Sequence, residues 1–308
     1  MTRKALLVGI SHYAADDFGD LDCCVDDARA MHARLAEHAL PGTDRGNYSC
    51  SRLSSDENTV DLPALEAGIA DLLQGDENSD ALFYFSGHGF RIGDEAWLVT
   101  CEGSTDQPGY AMSRLLEAAN RSRLRSVLIV LDCCHSGQIG NFAGHDGAPR
   151  VRIGPNVTVL AASDAYEKST QGLDYSLFTS LLLDGLDGGA ADLRGKVYAG
   201  ALYAFVEQGL ADWEQCPVYK SYSRRLNLVR ECAPAISDAL LARLPEWFAY
   251  PEMSLESDAV VDEQAAFALL RNVGLVGTAD DGGLCLTPRG RLCWTQAQRG
   301  EFARAGAA

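Results

Sequence analysis

Apolar residues in this chain cluster in two different rhythms. Lys4-Ala-Leu-Leu-Val-Gly-Ile10, Ala81-Leu-Phe-Tyr-Phe85, Val127-Leu-Ile-Val-Leu131 and Val157-Thr-Val-Leu-Ala-Ala162 are short, nearly continuous apolar runs, as expected of strands buried on both faces. Between them the apolar positions fall at helical spacing. Val25, Ala28, Met31, Leu35 and Ala39 predict a helix over 25–40, stopped by Pro41-Gly42. Leu62, Leu65, Ile69 and Leu72 predict another over about 61–73, with Thr59 as its cap and Pro63 in its first turn. Further helices are expected over 112–120, 175–186 and 200–209, with a short hairpin-like strand at 96–100 and a closing strand at 218–221. Strands alternating with helices predict an α/β domain: a mostly parallel sheet flanked by helices on both faces.

The rhythm changes near Cys232-Ala-Pro234. Beyond it the order is helix (236–247), helix (260–273), hairpin, helix (294–304), with Asp280-Asp-Gly-Gly283 as the turn between Gly274–Gly277 and Leu284–Leu286. Two domains are therefore expected, 1–232 and a small α+β unit over 233–308. Within the first, a large part of about 1–138 and a small part over 157–232 are separated by 139–156, rich in Gly, Asn, Asp, Pro and Arg and without periodicity.

Composition narrows the function classes. With 308 residues the chain can bury a substantial core, and a net charge of −17 disfavours general affinity for nucleic acid or anionic membranes while favouring basic partners or substrates. No apolar stretch approaches the roughly 18 residues of a membrane span, and Met1-Thr-Arg-Lys4 runs into a strand without the apolar core of a signal peptide. A cytoplasmic location is expected, so the ten cysteines read as reduced thiols. The adjacent pairs Cys23-Cys24 and Cys133-Cys134 suit neither a zinc knuckle nor an easy disulfide.

Two strings carry the candidate chemistry. Ser86-Gly-His-Gly89 follows one buried strand and Asp132-Cys-Cys-His-Ser-Gly137 follows another, so parallel strands would deliver both to one sheet edge. A cysteine attacks carbonyl carbon as thiolate, and with an ordinary pKa of about 8.5 it needs a base; His88 is the candidate. Gly87 and Gly89 remove side-chain bulk around that histidine, and backbone N–H groups of Gly89 and Cys134 are candidate oxyanion donors. Metal binding by Cys133, Cys134, His135 and His88 matches no common zinc spacing, so no metal site is expected. A phosphatase would need an Arg cradle soon after its cysteine, and none follows Cys134.

These strings, with Leu21-Asp-Cys-Cys-Val-Asp-Asp-Ala28 upstream, resemble the caspase-like peptidases of the caspase–hemoglobinase clan, most closely the prokaryotic metacaspase-like proteins or orthocaspases. The resemblance spans roughly residues 4 to 228. It implies a cysteine endopeptidase whose nucleophile is the cysteine before His-Ser-Gly, Cys134, with His88 as base. It further implies cleavage after Arg or Lys, because metacaspases line the pocket for that residue with acids where caspases use bases. The matching positions are Asp132 and Asp27, with Cys24 and Ser86 as pocket wall, and the guanidinium fork favours Arg over Lys. For Asp26 and Asp27 a helix-start pair favoured by the macrodipole is the competing reading. Ala161-Ala-Ser-Asp-Ala-Tyr-Glu167 and Tyr175–Leu183 resemble the small-subunit half, where Asp164 or Glu167 would add to the pocket or stand as solvated loop acids. Arg150 and Arg152 are the candidate self-cleavage points, or solubilise their loop. Many metacaspases bind calcium, but Phe90–Trp97 offers no recognisable oxygen-ligand loop, so no cofactor is expected.

In the last domain Leu269–Val276 and Leu284–Arg291 resemble a winged-helix unit. Residues 233–308 hold six Arg and no Lys against ten acids, a net of −4, which favours docking of a regulatory protein or a second copy over reading DNA. The readings are then a basic-residue-specific peptidase in a prokaryotic signalling or defence cascade, a catalytically silent adaptor recruiting partners through 233–308, and, least favoured, a transcriptional regulator.

Overall fold

The computed structural model describes residues 2–40, 45–133, 152–162, 174–211, 217–223, 226–256 and 261–302. They form two compact units, Met1–Ala191 with Val197–Cys232, and Asp192–Lys196 with Ala233–Ala308.

The first unit begins with strand β1 (Thr2–Gly9), helix α1 (Cys24–Ala36), β2 (Ser49–Ser54), α2 (Leu62–Leu72) and β3 (Ser79–Ser86). A small antiparallel sheet follows, β4 (Gly89–Ile92), β5 (Glu95–Val99) and β6 (Gly109–Ala111), then α3 (Met112–Arg121) and β7 (Ser126–Asp132). Beyond come β8 (Val157–Ala161), α4 (Leu177–Asp184), β9 (Lys196–Tyr198), α5 (Ala199–Leu210), β10 (Val218–Ser221) and β11 (Leu228–Glu231). Six strands make the central sheet in the order β10-β8-β7-β3-β1-β2, all parallel except β10.

Strand alternation divides the core between two faces. Leu6, Val8, Phe83, Phe85, Ile129 and Leu131 pack with Leu65 and Ile69 of α2 and Leu115 and Leu116 of α3. Ala5, Leu7, Leu82, Tyr84, Leu128 and Val130 pack with Met31 and Leu35 of α1, Phe178 and Leu182 of α4, and Leu202 and Val206 of α5. Both faces are covered, as the near-continuous apolar strands require.

Element boundaries differ from the sequence reading in instructive ways. The helix predicted over 25–40 ends at Ala36. Asp61, not Thr59, caps α2, accepting a 2.8 Å bond from the Ala64 N–H. The strand at 96–100 is the middle of a three-stranded sheet rather than a hairpin arm. The edge strand β2, Ser-Cys-Ser-Arg-Leu-Ser, has no counterpart in the sequence pattern because its polar run carries little apolar signal.

In the second unit the region expected as one helix over 236–247 is two, α6 (Asp238–Ala242) and α7 (Leu244–Trp247), because Pro245 cannot donate to a continuing helix. Strand β12 (Ser254–Leu255), α8 (Gln264–Asn272), β13 (Val276–Thr278), β14 (Leu284–Leu286) and α9 (Pro288–Gln298) complete it. The final helix starts six residues before the predicted 294, with Thr287 as its cap and Pro288 in its first turn. The strands form one antiparallel sheet, β12-β14-β13, over a core that includes Leu244, Phe248, Phe267, Leu270, Leu275 and Leu286.

Candidate active site

Register places the two candidate strings side by side. Gly9 pairs with Ser86, and Ser86 with Asp132, so β1, β3 and β7 end level at one edge of the sheet. The Ile10 N–H donates to the Ser86 carbonyl at 3.0 Å and the Gly87 N–H to the Asp132 carbonyl at 3.3 Å, extending the pairing past the strand ends. A cavity of about 540 Å³ lies at the opposite edge, among Arg3, Asp80 and Arg125, and none of the predicted site residues lines it.

His88 is held on three sides. Its backbone N–H donates to the Tyr13 hydroxyl at 2.7 Å, that hydroxyl donates to the Ile10 carbonyl at 3.1 Å, and the imidazole forms a three-ring cluster with Tyr13 (4.8 Å) and Phe18 (5.6 Å), themselves 6.2 Å apart. Its Nε2 is 2.7 Å from the Gly19 carbonyl oxygen. A carbonyl only accepts, so Nε2 carries the hydrogen and Nδ1 is the lone-pair nitrogen of the neutral ring. The loop presenting Gly19 is closed by Leu21 N–H to the Ser11 carbonyl and Tyr13 N–H to Asp20 Oδ1, both 2.9 Å. Burial holds the Tyr13 hydroxyl protonated, fixing it as a donor and acceptor pair. The space beside Gly87 is not substrate room. A β-carbon there would lie 2.8 Å from the Tyr13 hydroxyl, so the glycine admits this scaffold.

Beside the histidine strand, two carboxyl groups share one hydrogen-bonded chain. Asp27, fully buried, accepts from Ser86 Oγ at 2.8 Å and from the Ser176 backbone N–H at 3.0 Å. Ser176 Oγ in turn donates to Asp132 Oδ2, and Thr179 Oγ1 donates to the same oxygen at 2.7 Å, itself accepting from the Tyr84 hydroxyl at 2.6 Å. The Cys24 thiol, on a residue 5% exposed, lies within 4.8 Å of an Asp27 carboxyl oxygen. Asp27, Asp132, Ser86 and Cys24 are thus one cluster. Burial first, then the Asp132 charge, pushes the Asp27 carboxyl up to about 9. In the absence of a cation the buried Asp27 carboxyl therefore favours its protonated form.

The competing reading of the helix-start acids divides between them. Asp26 is half-exposed and pairs with Arg29, as a surface acid of a first turn does, while Asp27 turns inward. Cys133 is buried in the hydrophobic core. Gly89 opens β4 opposite Leu98. Arg152 is exposed, its carbonyl accepting from Asn120 Nδ2 at 2.6 Å. Cys134, Arg150, Asp164 and Glu167 lie outside the described residues. Ser176, Thr179, Tyr84, Tyr13 and Gly19 carry no motif. The one local signal is the cap pattern Ser176-x-x-Thr179, in which Ser176 caps α4 by accepting from the Thr179 N–H at 3.0 Å.

Among the described residues no helix is long and apolar enough to cross a membrane. The chain matches the family model described as the caspase domain over residues 2–229. The fold is shared with solved structures, two of which serve as examples. One is protein GSU0716 from Geobacter sulfurreducens, 14% identical with a TM-score of 0.50, the match covering 73% of this chain and 95% of that one. The other is caspase-1 from Spodoptera frugiperda, 13% identical with a TM-score of 0.54, covering 74% of this chain and 92% of that one. At those identities the likeness speaks for the fold alone. The comparison with curated proteins returned no match.

Proposed function

This chain belongs to the caspase domain family, whose members include cysteine peptidases acting on proteins, and from that premise we propose that it is a metacaspase-type endopeptidase cutting after Arg, and less readily after Lys. Cys134 is the nucleophile and His88 the base. The observation that carries the specificity is the acid cluster Asp27–Ser86–Ser176–Asp132 at the strand ends next to His88. Cys24 and Ser86 complete its wall.

In this reading Nδ1 of His88 takes the Cys134 proton, and the thiolate forms a bond to the scissile carbonyl carbon. The oxyanion accepts hydrogen bonds from backbone N–H groups of Gly89 and Cys134. Collapse breaks the C–N bond, the imidazolium gives its proton to the leaving amine, and water then hydrolyses the thioester with His88 again as base. The Gly19 carbonyl keeps the ring in the tautomer this cycle needs. Burial of Cys133 in the core favours Cys134 over its neighbour. A guanidinium entering beside Asp132 would draw Asp27 to its charged form, converting a single charge into the pair that the fork of Arg matches.

This reading includes no calcium. Among the described residues the one dense group of ligating side chains is Cys23, Cys24 and Asp27, and calcium takes oxygen ligands in numbers of six to eight. Residues 233–308 act as a winged-helix-like accessory domain that docks a protein, their net charge of −4 opposing a DNA role. The setting is a cytoplasmic signalling or defence cascade in a prokaryote, with self-cleavage after Arg150 or Arg152.

The test is cleavage of fluorogenic peptides ending in Arg, Lys or Asp by wild type, Cys133→Ala and Cys134→Ala. Arg turnover in the first two and none in the third is expected, whereas turnover confined to Asp would overturn the specificity. Intact mass after expression, with fragments broken at Arg150 or Arg152 in wild type only, checks self-processing.

A further inference from the structure

Two thiols stand at the start of α1, Cys24 in the wall of the proposed pocket and Cys23 with no role in the peptidase reading. Cys23 caps the helix and Cys24 is its first residue, so Cys23 and Asp27 are four apart and Cys24 and Asp27 three apart, and one turn stacks all three on the same side. Both Sγ atoms and an Asp27 carboxyl oxygen lie within 4.8 Å of one another. The same Asp27 carboxyl accepts from Ser86 Oγ at 2.8 Å. Cys24 and Asp27 are buried and Cys23 is half-buried, which leaves one approach, through Cys23. Adjacent cysteines fail the spacing of a zinc knuckle, yet the helix turn supplies a third donor that the spacing rule omits.

Donor type decides which ion fits. Two sulfurs with one carboxylate oxygen suit a soft or borderline divalent cation, and Zn²⁺ takes such sets in tetrahedral geometry, with an open fourth position where only three protein ligands bind. Tetrahedral Zn–S and Zn–O bonds hold ligand atoms about 3.6 Å apart, so the trio needs to close by roughly 1 Å, within reach of side-chain rotation. The neighbouring Asp132, tied through Ser176 to the same Asp27, adds negative charge that favours a cation.

We propose that Cys23, Cys24 and Asp27 form a Zn²⁺ site inside the acid cluster, and that the bound ion inhibits by occupying the place of a substrate's basic side chain. The inhibitory half rests on the peptidase reading; the binding half does not. With zinc in place Asp27 is a ligand and the ion's charge repels a guanidinium, so zinc and an Arg substrate exclude each other.

The binding test uses the full chain carrying Cys134→Ala, which removes the thiol of the proposed nucleophile, in a phosphine reductant that prevents disulfides. Co²⁺ titration is expected to give thiolate-to-cobalt charge-transfer absorption in the near ultraviolet, displaced by Zn²⁺. Adding Cys23→Ser should weaken binding by at least roughly 100-fold, the upper end of what loss of an outer-shell partner costs, because here a ligand itself is removed. Serine is itself a good helix cap, so this variant retains the fold, as circular dichroism would verify. Adding Asp27→Asn should weaken binding as well. Absence of the charge-transfer band, or its persistence unchanged in Cys23→Ser, would overturn the site. In the active enzyme, Zn²⁺ should raise KM for an Arg peptide with kcat unchanged, reversed by chelator. Equal inhibition of wild type and Cys23→Ser would overturn the inhibitory role. A band in Cys134→Ala alongside an inactive wild type would uphold the site and remove the peptidase reading.

Discussion

Asp27 binds its proton more tightly folded than unfolded, since an exposed aspartate sits at about 3.9 and burial with Asp132 nearby raises this one. A raised acid favours the folded state below the unfolded pKa, and that advantage is lost as pH climbs through the folded pKa of about 9. Thermal unfolding of wild type and Asp27→Asn should therefore diverge, the variant gaining on wild type at each step from about pH 5 to pH 9. Parallel curves would show that the folded carboxyl titrates normally. The same pair separates what residues reveal about themselves. Acid type at 27 and 132 was legible from the strings beside them, but protonation was not, because it depends on burial under Ser86 and Ser176 from segments 59 and 149 residues away. Ser176 and Gly19 are not legible for a related reason: Gly19 works through a carbonyl that any residue carries, and Ser176 reads locally only as a helix cap, its bonds to Asp27 and Asp132 being made to distant segments.

At the scale of elements, the site depends on how closely α1 approaches β1. A β-carbon on Gly9 would meet the Cys24 carbonyl oxygen at 2.3 Å and the Ala28 β-carbon at 2.8 Å, backbone and core that cannot yield. Gly9→Ala should cost about 1–3 kcal/mol in denaturant unfolding, the usual price of overpacking, and should raise KM for an Arg peptide because α1 carries Cys24 and Asp27. An unchanged denaturation midpoint would mean that the helix shifts freely. The strands of the sheet were legible because burial on both faces makes them continuous apolar runs. Strand β2 was not, since an edge strand with alternating exposed serines has only one partner and little apolar surface to advertise itself. For α2 the sequence reading has the right bounds and the wrong cap, Thr59 for Asp61, and in the second unit it runs one helix through Pro245, where the structure has two.

For the whole molecule, a net charge of −17 acts on anything that approaches. Attraction of basic substrates is screened over about 10 Å at 0.1 M salt, so kcat/KM should fall with ionic strength. The fall should steepen for peptides bearing extra Lys or Arg away from the scissile bond. Salt slopes independent of those extra charges would confine the electrostatics to the acid cluster.

The β7–β8 pairing sets what a cut in the chain can do. Five residues of each strand pair in parallel register, and Phe178, Leu182, Leu202 and Val206 bury themselves with Leu128 and Val130 in one core. A peptide bond broken between 139 and 156 therefore severs the polymer without dividing the particle. A processed sample should run as two bands under denaturing conditions and elute as a single species of unchanged mass from gel filtration. Proteolysis there is a change of connectivity only, so whatever control it exerts must be local to the new chain ends and not a release of one half from the other.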